Sequence, residues 1–260
     1  MKKATLITGA CINTGVAIVE KFASEGYNVI FTGRSMEKVH AAEKQYKEKF
    51  PNVEIIGYHI DSLLDERTVD EKSVEEMFAD IDSRELFVET LVLNAADQGL
   101  GQKIFENPLT DFMKVINTNV IWNYCLSEHA AKRMKANGGG NIVFINSNTA
   151  YRAIPDRVAY VASKGGQLGL MRALALDLGK YNIRVNAVLP GMIKTDRWEK
   201  NPEFYENVPS RFTPIGDVAV GEDIADAVYY FASHAKNTTG AELVVDGGNT
   251  IQLYPIIPKG

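Results

Sequence analysis

The sequence predicts an α/β fold, a single doubly wound domain with a seven-stranded parallel sheet and helices on both faces. Three observations carry this expectation. Short apolar runs alternate with stretches of helical period along the whole chain, the pattern of βαβ units. Leu6-Ile7, Val29-Ile30-Phe31, Leu91-Val92-Leu93 and Ile142-Val143-Phe144-Ile145 are apolar at consecutive positions, as strands covered on both faces must be. No Pro/Ser-rich or single-charge stretch offers a linker, so the 260 residues form one unit, 1–260.

Taken in order, the strands fall at 4–8, 28–32, 53–60, 90–94, 141–146, 184–189 and 242–246. The first helical stretch, 16–25, places Ile18 and Phe22 four apart and stops at Gly26. Ser73 and Glu76 read as a capping box for a helix that starts at Ser73 and buries Val74, Met77, Phe78 and Ile81. Long helices follow near 110–135 and at 160–178, and Gly-Glu-Asp opens another at 223–233. Right-handed crossovers place ligands beyond the carboxyl ends of such strands. Residues 195–214, with Pro202, Pro209, Pro214, Trp198, Phe204 and Tyr205, read as a substrate flap. An apparent insertion at 63–69 reads as a surface excursion.

Composition narrows the partners. Twenty-eight basic against 33 acidic residues give a net charge of -5 and a pI near 5.5, the opposite of a nucleic-acid footprint. No run approaches the ~18 apolar residues of a membrane span. Thr5, Thr8 and Gly9 interrupt the stretch after Met1-Lys2-Lys3, which reads as strand then turn rather than a signal segment. Cys11 and Cys125 stand far apart, and His40, His59, His129 and His234 are scattered without zinc spacing. The expectation is a cytoplasmic, metal-free protein acting on a small molecule.

Thr8-Gly9-Ala10-Cys11-Ile12-Asn13-Thr14-Gly15 joins the first strand to the first helix. There a pyrophosphate would meet free N–H groups at the positive end of a helix dipole, although such a turn is also an ordinary strand-to-helix connection. Tyr160 and Lys164 lie four apart on one helical face, with Ser147 thirteen residues upstream of the tyrosine. A phenol titrates near ~10, and bringing it ~3 units toward neutrality takes about 4 kcal/mol, which an adjacent ammonium helps to supply.

The ordered set resembles the short-chain dehydrogenase/reductase family across nearly the whole chain. Thr8-Gly9 through Gly15 is similar to its Thr-Gly-x-x-x-Gly-x-Gly turn, Asp61 to its acidic residue after the third strand, and Leu93-Asn94-Ala95-Ala96 to its Asn-Asn-Ala-Gly. Asn119, Ser147, Tyr160 and Lys164 fit its catalytic positions, and Ile183 through Gly191 and Val245 through Gly248 match later signatures. Asn13 stands in place of the middle glycine, Leu93 and Ala96 replace the outer residues of Asn-Asn-Ala-Gly, and Trp122 replaces a common glycine.

The resemblance implies a Rossmann-like domain that interconverts a carbonyl and a secondary alcohol. In it, Tyr160 handles the proton, Ser147 orients the oxygen, Lys164 lowers the phenol pKa and holds the nicotinamide ribose, and Asn119 supports a water that leads protons away. Thr8, Gly9, Asn13, Thr14, Gly15, Gly33, Arg34, Asp61, Asn94, Ala95, Pro190, Gly191 and Thr195, with Tyr160 and Lys164, would hold the cofactor. The second strand ends Gly33-Arg34 with no acidic residue to bind ribose hydroxyls, and Arg34 offers a guanidinium to a 2′-phosphate, so NADP(H) is preferred and NAD(H) possible.

Asp97, Gln98, Asn148, Tyr151, Arg152 and Trp198 are expected near the cleft and favour a polar hydroxy or keto substrate such as a sugar, polyol or hydroxy acid. A 3-oxoacyl thioester is the alternative. Enoyl reduction is disfavoured because Gln167 occupies the place, seven after the tyrosine, where that branch carries its lysine. A catalytically silent cofactor-binding regulator is disfavoured because all four catalytic positions are filled. Family members commonly pair through the two long helices, implying a homotetramer or else a homodimer, with the apolar 251–257 tail packed on its own or a neighbouring subunit.

Overall fold

The computed structural model describes residues 1–195, 198, 200–202 and 211–254. Its seven strands are β1 (Lys2–Ile7), β2 (Asn28–Gly33), β3 (Ile55–His59), β4 (Leu86–Leu93), β5 (Gly140–Ile145), β6 (Ile183–Pro190) and β7 (Glu242–Val245). All neighbours pair in parallel, in the order β3-β2-β1-β4-β5-β6-β7. The chain grows outward from β1 to β3, then crosses back to lay β4 on the other side of β1. That reversal opens a crevice at the carboxyl ends of β1 and β4.

Alternate side chains of each strand feed two separate cores. Leu6, Leu91, Leu93 and Phe144 meet α3 (Glu71–Ser83), α5 (Trp122–Ala136) and α6 (Val158–Leu178) on one face. Ile7, Phe31, Val92 and Val143 meet α1 (Thr14–Ser24), α2 (Met36–Lys49) and the Gly221–Tyr229 helix on the other. Val74, Met77, Phe78 and Ile81 are buried as the helical spacing requires.

Beyond shifts of a few residues at element ends, three features differ from the sequence reading. The N-cap of α3 is Asp70, whose carboxylate accepts from the Ser73 N–H at 3.0 Å, so Ser73 lies inside the helix. The stretch near 110–135 is interrupted: α4 (Leu109–Ile116) runs into a π-helical turn, Asn117–Ile121, and then α5. Helix α2 has no counterpart in the sequence reading, although Ser35 caps it and Val39, Ala42 and Tyr46 form its buried stripe. The final helix, α7 (Gly221–Tyr229), begins where the Asp223 carboxylate accepts from the Val220 N–H at 2.8 Å.

The 63–69 excursion folds on itself through a Leu63–Val69 bridge and an Asp65 turn, and Asn117 at the start of the π-helical turn donates to the Arg67 carbonyl at 2.9 Å. Of the proposed flap, residues 196, 197, 199 and 203–210 lie outside the described residues, as do 255–257 of the apolar tail.

Candidate active site

The crevice is a cleft of about 850 Å³ running from the first turn to the start of α6. Its phosphate end is set by backbone geometry. Gly9 has φ +66°, and a Cβ there would lie 2.9 Å from the Ala95 Cα; a Cβ on Gly15 would lie 2.6 Å from the Ala10 Cα. Neither position admits a side chain. Asn13 takes the positive φ of 50° that the family's middle glycine would supply and leaves α1 without a side-chain cap, where Asn13, Thr14 and Gly15 line the cleft. Thr8 is fully buried and accepts from the Asn94 and Ala95 N–H groups at 3.0 Å each, while Asn94 donates to the Thr8 carbonyl at 2.9 Å. Thr8 therefore clamps the ends of β1 and β4 behind the cleft wall.

Gly9, Asn13, Thr14, Gly15, Gly33, Arg34, Asp61, Asn94, Ala95, Pro190, Gly191 and Thr195 line the cleft. Sequence reasoning missed Lys38, which shares the Arg34 corner with Ser35 at the amino end of α2. Two cations beside the positive end of a helix make an anion site. The Ser-x-x-Lys step after Arg34 was its signal, hidden because α2 itself went unassigned. Cys11 was also missed: a Cβ on Gly33 would sit 2.5 Å from its Sγ and 2.8 Å from Val39 Cγ2.

At the other end, Ser147 follows β5 while Tyr160 and Lys164 stand one turn apart on α6, and all three line the cleft. The Lys164 ammonium is 2% exposed. It donates to the Ile145 carbonyl at 2.8 Å and to Gln167 Oε1 at 3.1 Å, and stands 5.5 Å from the Tyr160 ring centre. Burial alone pulls its pKa down to about 7. Burial also pushes the Tyr160 phenol up, with the Ser147 hydroxyl and the Arg157 guanidinium pulling the other way. The expected lowering of the phenol by Lys164 is not seen: burial sets the direction, and the opposing pull comes from Ser147 and Arg157.

Asn119 lies behind the cleft, fully buried in the π-helical turn. Its side-chain oxygen accepts from the Asp97 N–H at 2.7 Å, and its amide donates to the Asp97 carbonyl at 2.8 Å and to Ser163 Oγ at 2.9 Å. Its main-chain carbonyl accepts from Gln167 Nε2 at 2.6 Å and from Asn123 Nδ2 at 2.9 Å.

Of the proposed substrate contacts, Gln98 and Trp198 line the cleft. The other four are engaged elsewhere. The Asp97 carboxylate accepts from the Gly99 N–H, Asn148 donates to Asn249, Tyr151 to Glu242, and Arg152 to the Gln252 carbonyl. Away from the cleft, Glu71, Cys125 and His129 bring ligand atoms within 4.8 Å of one another between α3 and α5, a proximity invisible in their spacing.

The family model described as enoyl-(acyl carrier protein) reductase matches residues 9–250. The chain is 35% identical over 248 residues to the 3alpha-hydroxysteroid dehydrogenase of Mediterraneibacter gnavus, covering 94% of this chain and 96% of that one. It is 31% identical over 255 residues to the NADP-dependent (R)-specific alcohol dehydrogenase of Lentilactobacillus kefiri, covering 96% and 97%. In structure it is similar to L-sorbose reductase from Gluconobacter frateurii complexed with NADPH and L-sorbose, with TM-score 0.87, 27% identity and coverage of 97% and 98%. No helix among the described residues is long and apolar enough to cross a membrane. With its sheet order, glycine turn and Ser147, Tyr160 and Lys164 converging at one cleft, the chain belongs to the short-chain dehydrogenase/reductase family and is an oxidoreductase of alcohol and carbonyl groups.

Proposed function

We propose that the protein is an NADP(H)-dependent oxidoreductase that interconverts a ketone and a secondary alcohol on a polar substrate such as a sugar, polyol or hydroxy acid. The observation that carries the reading is a single cleft joining the Gly9–Gly15 cradle and the Arg34–Lys38 corner to Ser147, Tyr160 and Lys164. A dinucleotide phosphate fits that end, where the start of α1 carries no side-chain cap and neither Gly9 nor Gly15 admits a Cβ. Arg34 and Lys38 would hold a 2′-phosphate, and Lys164 and Tyr160 would border the nicotinamide ribose. When bound, the cofactor supplies or accepts the hydride.

The chain's own residues handle the oxygen and its proton. The Ser147 hydroxyl hydrogen-bonds the substrate oxygen, and Tyr160 delivers its phenolic proton to that oxygen as the carbonyl carbon is reduced. In the oxidative direction the Tyr160 phenolate takes the alcohol proton. Gln98 lines the cleft, its carbonyl accepting from Arg157 at 2.8 Å, and this polar side chain supports an oxygen-rich substrate.

The exposed apolar side chains of α4, the π-helical turn, α5 and α6 support the reading of a homotetramer or homodimer. Leu109 is 72% exposed and Leu176 83%, with Ile121 and Tyr124 between them. Light scattering at the 28.7 kDa monomer mass would contradict it.

The test is consumption of NADPH and of NADH with sugars, keto acids, acetoacetyl thioesters, steroid ketones and enoyl thioesters. Turnover of a polar ketone with NADPH favoured supports the proposal. Turnover confined to thioesters or steroids removes the substrate class and keeps the reaction. Saturable cofactor binding without turnover, or turnover of enoyl thioesters alone, overturns the reaction.

A further inference from the structure

Gln167 belongs to none of the positions that define the family's chemistry, yet it lies fully buried at the centre of the bonds behind them. Its Oε1 accepts from the Lys164 ammonium at 3.1 Å and from Asn146 Nδ2 at 3.2 Å, and its Nε2 donates to the Asn119 carbonyl at 2.6 Å. Asn146 in turn accepts from the Ser147 N–H at 2.7 Å and donates to the Lys164 carbonyl at 2.9 Å. Two side-chain amides thus tie the main chain of Ser147 and of Asn119 to the head of Lys164.

The orientation of the Gln167 amide is forced. Asn146 Nδ2 and the ammonium are both donors, and the Asn119 carbonyl is an acceptor, so a flipped amide would set donor against donor and acceptor against acceptor. A buried amide also carries a desolvation cost that a methionine or leucine of similar size would not. Packing alone gives no reason for glutamine here. Among the described residues, the acceptors of the Lys164 ammonium are Gln167 Oε1 and the Ile145 carbonyl, with no carboxylate beside them.

We infer that Gln167 is a positioning residue of the reaction: its side-chain amide bridges the Asn119 carbonyl to Lys164, and, against the cost of burial, it favours the charged form of the lysine and fixes its head beside the cleft. An oriented amide accepts from the ammonium as a water would. Unlike a water, it does not exchange with solvent or pass a proton onward, so it fixes Lys164 rather than draining it.

The inference rests on the proposed carbonyl and alcohol chemistry only for its kinetic consequence, and a readout without cofactor keeps the two separable. The variants are Gln167→Met, which fills the space without an acceptor, Gln167→Ala, which leaves room for a water, and Gln167→Glu, which strengthens the acceptor. The Lys164 titration is read in the cofactor-free protein from the pH dependence of urea unfolding, each variant being compared with its Lys164→Met double. Loss of a bond to the charged form moves the Lys164 midpoint down by about one pH unit in Gln167→Met. Gln167→Ala recovers part of that shift, and Gln167→Glu moves the midpoint upward. With a turned-over ketone, kcat near neutrality falls about tenfold in Gln167→Met and is partly restored in Gln167→Ala.

A merely structural role predicts the reverse order, with alanine worse than methionine because it leaves a cavity. An unchanged midpoint in Gln167→Met, or alanine below methionine in both readouts, overturns the inference. If Gln167→Met fails to fold, the upward shift in Gln167→Glu decides, and its absence counts against the bridge. Midpoints that move as stated while no ketone is turned over would leave the bridge standing and refute the proposed reaction instead.

Discussion

Replacing Lys164 by methionine should stabilise the cofactor-free protein at neutral pH and remove a large part of its pH dependence. The ammonium is 2% exposed, and burial takes its pKa from the ordinary 10.5 to about 7. Below about pH 7 both folded and unfolded chains hold the proton, and the fold carries the full cost of a buried charge. Between about 7 and 10.5 the unfolded chain holds a proton that the folded chain has released, so stability rises with pH and is lost again as pH falls. At 1.36 kcal/mol per pH unit the whole window is worth about 5 kcal/mol, and the interval from pH 7, where the folded lysine is half protonated, to pH 9 about 2 kcal/mol. The substitution also strips a donor from the Ile145 carbonyl, but that loss is the same at every pH. Slope therefore carries the test. Urea unfolding of both proteins without cofactor at pH 7, 8 and 9 should give a stability difference that narrows or changes sign by about 2 kcal/mol across the range. Parallel curves would refute a depressed Lys164, and with it the statement that burial governs this ammonium.

Tyr160→Phe keeps the ring and removes the proton donor, so kcat should fall below about a hundredth of wild type with cofactor affinity retained; turnover above that level would remove Tyr160 from its role. Arg34→Ala should raise the apparent KM for NADPH about tenfold and leave that for NADH nearly unchanged, since only the former gains a charge-assisted bond in the Arg34–Lys38 corner. Equal effects on both cofactors would contradict a 2′-phosphate site there. Gly33→Asp, the obvious way to favour NAD(H), should instead cost about 1–3 kcal/mol, read as a lower urea midpoint, because its Cβ meets Cys11 Sγ at 2.5 Å and Val39 Cγ2 at 2.8 Å. A Gly33→Asp protein as stable as wild type would show that Cys11 turns aside at no cost.

The sheet was legible because burial on both faces leaves one readable signature, consecutive apolar residues, and each of the seven expected strands overlaps an observed one. Helix α2 escaped for the complementary reason. Its stripe is only Val39, Ala42 and Tyr46 among nine charged or polar residues, so its sequence looks like a solvated loop until the Ser35 cap and the Tyr46 hydroxyl, which donates to the Ala10 carbonyl at 2.8 Å, are seen together. The π-helical turn at Asn117–Ile121 could not be read at all: an extra residue in one turn leaves the apolar period almost intact while redirecting the Asn119 carbonyl.

Side chains whose chemistry is rare at their spacing announce themselves, and Ser147, Tyr160 and Lys164 do so together. Side chains that act through bonds to other protein groups do not. Asp97, Asn148, Tyr151 and Arg152 carry the composition of a polar binding site and sit beside its motifs, yet each finds a protein partner, so adjacency in sequence overstated the polarity of the cleft. Gln167 shows the opposite error. In a linear reading it marks only the absence of a lysine, since its partners come from β5, the π-helical turn and α6, and no spacing rule relates three such elements. A buried glutamine at a helical core position is nevertheless a signal in itself, because its amide must be met by protein groups or by water, and the groups nearest to hand in this fold are those that position the reaction.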